Sequence, residues 1–159
     1  MDRFCNVRTN FGGHKHNASA YVGGALKLTV RHTHGQNHHY PGFKVALSSP
    51  GAARHHGGHE LFGMYKSDFH SHDAPEGKDG WKVITIPFRD FSSDWSDFTG
   101  ECDTKDPDGY QHKCCKTENE AVCPTAKAFS ELNGLSIWAE GAEGGFALQI
   151  KQISAVQKE

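Results

Sequence analysis

Five cysteines stand at Cys5, Cys102, Cys114, Cys115 and Cys123, the last four inside one polar run of 22 residues. Thiols clustered in this way either close disulfides or bind zinc. Zinc sites in loops space their ligands as Cys-x(2–4)-Cys, so that a short turn sets two thiolates on adjacent tetrahedral corners. Here the gaps are eleven, zero and seven residues, which suits zinc poorly. Two disulfides are expected instead, and with them an oxidising compartment. A bridge between the neighbours Cys114 and Cys115 would be strained. Cys102 is therefore expected to pair with one of these two and Cys123 with the other, leaving Cys5 as a free thiol.

Histidines form near-neighbour sets at His14/His16, His32/His34, His38/His39, His55/His56/His59 and His70/His72. Residues two apart on a strand share a face, so a set such as His32/His34 has the spacing to grip Zn²⁺ or Cu²⁺. Most of the sets lie in Gly-, Asn- and Ser-rich stretches, and no acid at fixed spacing completes a ligand set, so no metal is expected. The run Asp106-Pro107-Asp108-Gly109 has the look of a calcium loop. Aligned on Gly109, however, its first and twelfth positions fall on Thr104 and Cys115, and both essential carboxylates are missing. A simple turn is expected. The chain contains no G-x-S-x-G, P-loop, G-x-G-x-x-G or H-E-x-x-H motif. Asp68, Asp90, Asp94 and Asp97 read as solvated loop charges rather than a glycosidase pair. No catalytic residue and no cofactor are expected. Trp81 and Trp138 sit in strand patterns and read as core. Trp95, in FSSDWSDFTG, is the tryptophan expected at the surface, as a ligand or partner contact.

Short alternating segments bounded by Gly, Pro, Asn, Asp and Ser recur along the chain, and helical periodicity is nearly absent. In residues 25–31, Leu26, Leu28 and Val30 point one way and Lys27, Thr29 and Arg31 the other; Phe43, Val45 and Leu47 repeat the pattern. The run WKVITIPF (81–88) is apolar on both faces and predicts an interior strand. Further strands are expected over 61–65, 135–139 and 146–153, and a short helical turn over 125–132. Segments 92–125 form a long cysteine-rich insertion without a strand of its own. The expected architecture is one all-β domain over 1–159, a jelly-roll sandwich of two antiparallel sheets.

The chain has 17 Lys and Arg against 19 Asp and Glu, 36% hydrophobic residues, and no apolar stretch near the roughly 20 residues that cross a bilayer. Without a basic field to release counterions, nucleic acid is not an expected partner. The first residues carry no signal pattern, so any targeting peptide is expected to lie outside this numbering.

The runs YKSDF (65–69) and WKVITIPFRDF (81–91), then LNGLSIWAEG (132–141) and GGFALQIKQISA (144–155), follow one another in the order seen in a known family, with YVGGALKLTVR (21–31) before them. Together they resemble the complex I intermediate-associated protein 30 family, over most of the chain. The resemblance implies a jelly-roll domain similar to galactose-binding and carbohydrate-binding modules. It also implies a non-catalytic role in assembling or stabilising a large membrane protein complex, respiratory or photosynthetic. The cysteine-rich insertion between Phe91 and Phe129 is unlike a matrix-located assembly factor. It points to the thylakoid lumen, with an extrinsic photosystem subunit as the expected form; secreted and mitochondrial locations are the alternatives. A carbohydrate-binding module or lectin is the second expectation for function.

Overall fold

Strands with one buried and one solvated face form where β-branched and aromatic residues alternate with polar ones, and that pattern dominates the observed structure. The computed structural model describes residues 4–33, 39–58 and 63–159. Its strands are β1 (Cys5–Thr9), β2 (Ala25–His32), β3 (Phe43–Ser49), β4 (Gly63–Asp68), β5 (Lys82–Pro87), β6 (Gly134–Ala139) and β7 (Leu148–Val156). They form a four-stranded sheet in the order β1-β6-β3-β4 and a three-stranded sheet in the order β5-β2-β7, with every named pairing antiparallel. This is an all-β sandwich, as expected. One short helix, α1 (Ala126–Phe129), falls inside the expected turn. Its N-cap Thr125 accepts a hydrogen bond at Oγ1 from the Ala128 N–H at 3.1 Å, satisfying one of the free donors of the first turn.

The inner faces of both sheets make the main core. Leu26, Leu28 and Val30 of β2 meet Phe43, Val45 and Leu47 of β3 there, as the alternation predicts, and Phe88, Phe91 and Phe129 close the β5 side. Phe88 and Phe129 pack edge to face at 4.9 Å.

Three expectations change. The 81–88 run is not an interior strand: β5 is one of the two outer strands of the smaller sheet, and Val83 on its outward face is 52% exposed. Its two-sided apolar character comes from β-branched residues that favour strands whether or not both faces are covered. Trp81 precedes β5 and is half-buried against Arg31, 4.5 Å from ring centroid to guanidinium carbon, rather than in the core. The strand expected over 61–65 begins outside the described residues and runs on to Asp68. β1 has no alternation to announce it, since all five of its residues are exposed.

The outer faces of the two sheets differ. That of the smaller sheet is open to solvent, whereas that of the larger sheet is covered by the 92–125 insertion. Backbone pairing between Lys66 and Ser92 starts the cover, and Trp95, Met64, Ala46 and Trp138 form a second apolar cluster beneath it. Lys44 and Lys66, which an exposed sheet face would leave in water, are buried here. The Lys66 ammonium sits 2.7 Å from Glu140 Oε1, and 3.7 and 3.9 Å from the ring centroids of Trp95 and Trp138. Both its ion pair and its cation–π contacts are shielded from water, which is where such contacts are strongest.

Candidate functional site

The insertion is where the sequence concentrates reactive residue types, so its chemistry decides what those residues can do. The Asp106-Pro107-Asp108-Gly109 turn folds back on itself: Gly109, at φ +92°, donates its N–H to Asp106 O at 2.9 Å. That left-handed backbone favours glycine. Asp106 and Tyr110, and then Thr104 and His112, bond backbone to backbone across the resulting hairpin. Cys102 and Cys114 flank this hairpin and are bridged, and Cys115 is bridged to Cys123. Both pairings lie within the choice left open by the sequence. Cys5 is free and exposed.

The hairpin delivers His112 into a buried position, 1% exposed, between two carboxylates. Its Nδ1 is 2.7 Å from Asp94 Oδ1 and its Nε2 is 2.6 Å from Asp106 Oδ2. Only the imidazolium can donate to both at once. Ser96 Oγ donates to Asp106 Oδ1 at 2.6 Å, while the Tyr110 hydroxyl and the Lys113 N–H donate to Asp94 Oδ2 at 3.1 and 3.0 Å. Burial pulls the His112 pKa down, but the hydrogen bonds and charges of Asp106 and Asp94 outweigh it and leave the pKa above its ordinary value. Burial pushes the Asp106 pKa up, yet the bonds from Ser96 and His112, with the charges of His112 and His56, leave it below its ordinary value.

Serine, histidine and aspartate are the ingredients of nucleophilic catalysis, but here they are connected differently. Ser96 bonds a carboxylate rather than the imidazole, and both ring nitrogens are committed to carboxylates. The imidazole is therefore not placed to take a proton from the hydroxyl as in a Ser-His-Asp triad. The cluster acts as an ionic staple within the insertion, tying the hairpin that carries Asp106 and His112 to Asp94 and Ser96. Asp94, expected as a solvated loop charge, is one of its buried members. Its polar neighbours are engaged in the same network instead of facing water.

Trp95 also departs from expectation. At 2% exposed it is not available for a ligand or partner: its indole N–H donates to Met64 O at 3.2 Å, and His55 stacks on its ring at 3.7 Å. It anchors the insertion to β4. Trp138 is buried as expected, but on the outer face of the larger sheet. Among the histidines, His55 bonds Asp97 at 2.7 Å and His56 stacks on Tyr110 at 3.9 Å. The His72 ring lies 5.3 Å from His39 and 5.6 Å from His70, and His32 bonds Ser71. His34, His38 and His59 lie outside the described residues. Among the described residues, no three His, Cys, Asp or Glu side chains are placed to hold a metal ion.

At the end of the sandwich where β1 begins and β6 ends, four chain segments surround an open groove of about 720 Å³. Phe4 and Cys5 come from the start of the chain, Phe98 from the insertion, and Tyr40 and Phe146 from the loops before β3 and β7. Tyr40 and Phe146 are tied to the core, their rings packing on Phe43 at 5.0 and 5.4 Å. Phe4 and Phe98 are instead 62% and 45% exposed. No protein-family model, curated protein or solved structure matches this chain. Sequence reasoning missed this groove, because Phe4 and Phe98 are isolated aromatics in polar surroundings that only the fold brings to one rim.

Proposed function

We propose that this chain is a non-catalytic accessory subunit that docks onto a large membrane protein complex on its oxidising side. The observation that carries the reading is the groove rimmed by Phe4 and Phe98. Large aromatic side chains held in water around a concave surface mark a contact that another molecule covers. The reactive residues of the insertion support the same reading, since they are locked into stapling the fold. The two disulfides suggest an oxidising compartment, and no helix among the described residues is long and apolar enough to cross a membrane. The resemblance to the complex I intermediate-associated protein 30 family favours a photosystem, with the thylakoid lumen as the site, or a respiratory complex I assembly role. The carbohydrate-binding alternative has lost Trp95 as its stacking platform.

The groove is tested by re-adding purified chain to salt-washed source membranes. Phe4→Ser/Phe98→Ser removes two exposed side chains and is expected to leave the fold intact. Rebinding of the variant should be at least about tenfold weaker than that of the unaltered chain, a loss of about 1.4 kcal/mol. Equal rebinding would remove the groove from the proposal.

A further inference from the structure

The solvent-facing side of the three-stranded sheet has a charge pattern that the chain as a whole does not share. β2 and β7 present three Lys and Arg there, namely Lys27, Arg31 and Lys151, and the three strands hold no Asp or Glu; Lys82, opposite the core residue Val30, stands at the start of β5 beside this face. The whole chain has an excess of two acids. On the opposite side of the sandwich, residues 92–125 hold eight Asp and Glu against three Lys. The strands of one sheet face are thus cationic, bordered by Glu76 and Asp79 at the groove beside Arg31, and the cover on the other side is rich in acids, of which Asp94 and Asp106 are paired with His112.

Arg31 organises the cationic face. Its Nε donates to Gln149 Oε1 at 2.9 Å and its Nη1 to Asp79 O at 3.2 Å. Its guanidinium carbon is 4.5 Å from the Trp81 centroid, and the Lys151 ammonium is 5.4 Å from the same ring. The backbone bulge between Thr29 and Val30 lets Lys151 join the face beside Gln152. Arg31 also lines a groove of about 510 Å³ with Lys82, Gln149, Glu76 and Asp79. A guanidinium held over an indole and bonded to Gln149 and Asp79, with three of its five N–H groups still to donate, is ordered before anything binds. Its fork geometry suits a carboxylate.

We infer that this face docks an acidic patch of a protein partner, a reading that rests on the accessory-subunit function above and names the surface it uses. The charge polarity turns the cationic side toward a negative surface and speeds encounter. Trp and Arg are the residue types that most often anchor protein interfaces. Thr29, Thr85, Gln149 and Gln152 add hydrogen-bonding groups to the same face. A lipid headgroup layer fits less well: the outward apolar groups on this face are few, and Trp81 is already covered by cations.

The test uses a short oligoglutamate peptide as the acidic probe, followed by nuclear magnetic resonance at low and at physiological salt. The expected result is a shift of the Trp81 indole and Arg31 Nε–H signals that weakens as salt screens the contact. Arg31→Glu/Lys151→Glu should bind at least about tenfold more weakly. Lys27→Glu/Lys151→Glu, which keeps the internal bonds of Arg31, should also weaken it, and Lys116→Glu on the other side should not. Unmoved signals, or equal binding by the charge-reversed variants, would overturn the inference. Sedimentation with phosphatidylserine vesicles that is lost in the same variants, without oligoglutamate binding, would overturn it in favour of a membrane surface. A chain that enters a complex but ignores the peptide defeats this inference alone. A chain that binds the peptide but enters no complex defeats the accessory-subunit reading alone.

Discussion

His112→Ala is expected to destabilise the fold by about 3–5 kcal/mol, the range for removing one member of a buried ionic group. The substitution leaves Asp94 and Asp106 facing each other's charge across a cavity, with Ser96, Tyr110 and the Lys113 N–H as their remaining donors. Urea unfolding followed by tryptophan fluorescence measures the loss, because Trp95 and Trp138 lie under the insertion. Adding Asp94→Asn and Asp106→Asn to His112→Ala should restore part of the stability by removing the orphaned charges. A loss below about 1 kcal/mol in the single variant would mean that the cluster does not staple the insertion.

The same cluster predicts a pH profile. The His112 pKa is raised in the folded chain, so its contribution is complete below the unfolded histidine value near 6.5 and fades as pH rises through the higher folded value. The Asp106 pKa is lowered, so its contribution is complete above the unfolded carboxylate value near 3.9 and fades as pH falls through the lower folded value. The staple is therefore strongest between about pH 4 and 6.5. The difference in stability between the unaltered chain and His112→Ala should shrink on the alkaline side of that window.

Breaking the disulfides should have a comparable effect. Their loops span 12 and 8 residues, and each closure is expected to contribute about 2–3 kcal/mol by restricting the unfolded chain. Cys102→Ser/Cys114→Ser and Cys115→Ser/Cys123→Ser should each lower the unfolding midpoint, and reduction of both bridges should free the insertion from the sheet. Trp95 and Trp138 would then lose their cover, along with Met64, Ala46 and the Lys66–Glu140 pair. The expected signature is a red shift of tryptophan emission and new access to iodide, with the far-ultraviolet strand signal retained. Emission unchanged by reduction would show that the hairpin and the ionic cluster hold the cover unaided.

Much of the sandwich was legible because β2, β3 and the first residues of β7 alternate apolar with polar side chains, and in β2 that alternation reports which face is buried. The outcome for β5 shows where that reading fails. Val83 and Val30 are equally apolar, yet only Val30 is covered, because Val30 points between the sheets while Val83, opposite Thr29, points to the open outer face. Whether the outer face of a sheet is covered is a property of the whole chain and leaves no mark on a single strand. Lys44 and Lys66 were hidden for the same reason, since their burial depends on an insertion supplied from elsewhere in the chain.

Trp95 was misread through its neighbours. Ser92, Ser96 and Asp94 look like solvent-facing loop residues, but Ser92 bonds Lys113 O at 2.7 Å, and Ser96 and Asp94 belong to the His112 cluster. Polar side chains engaged with each other can line a buried path as easily as a wet one. His112 lies 18 residues from Asp94 and six from Asp106, spacings that match no motif. The cysteines were legible to within two pairings because adjacency excluded the third.

The proposed role is tested most directly by native electrophoresis of detergent-solubilised source membranes, with mass spectrometry to locate the chain. The account predicts that it migrates with a photosynthetic or respiratory membrane complex in stoichiometric amount. Migration as a free species of 17.5 kDa, with none in any complex, would contradict it.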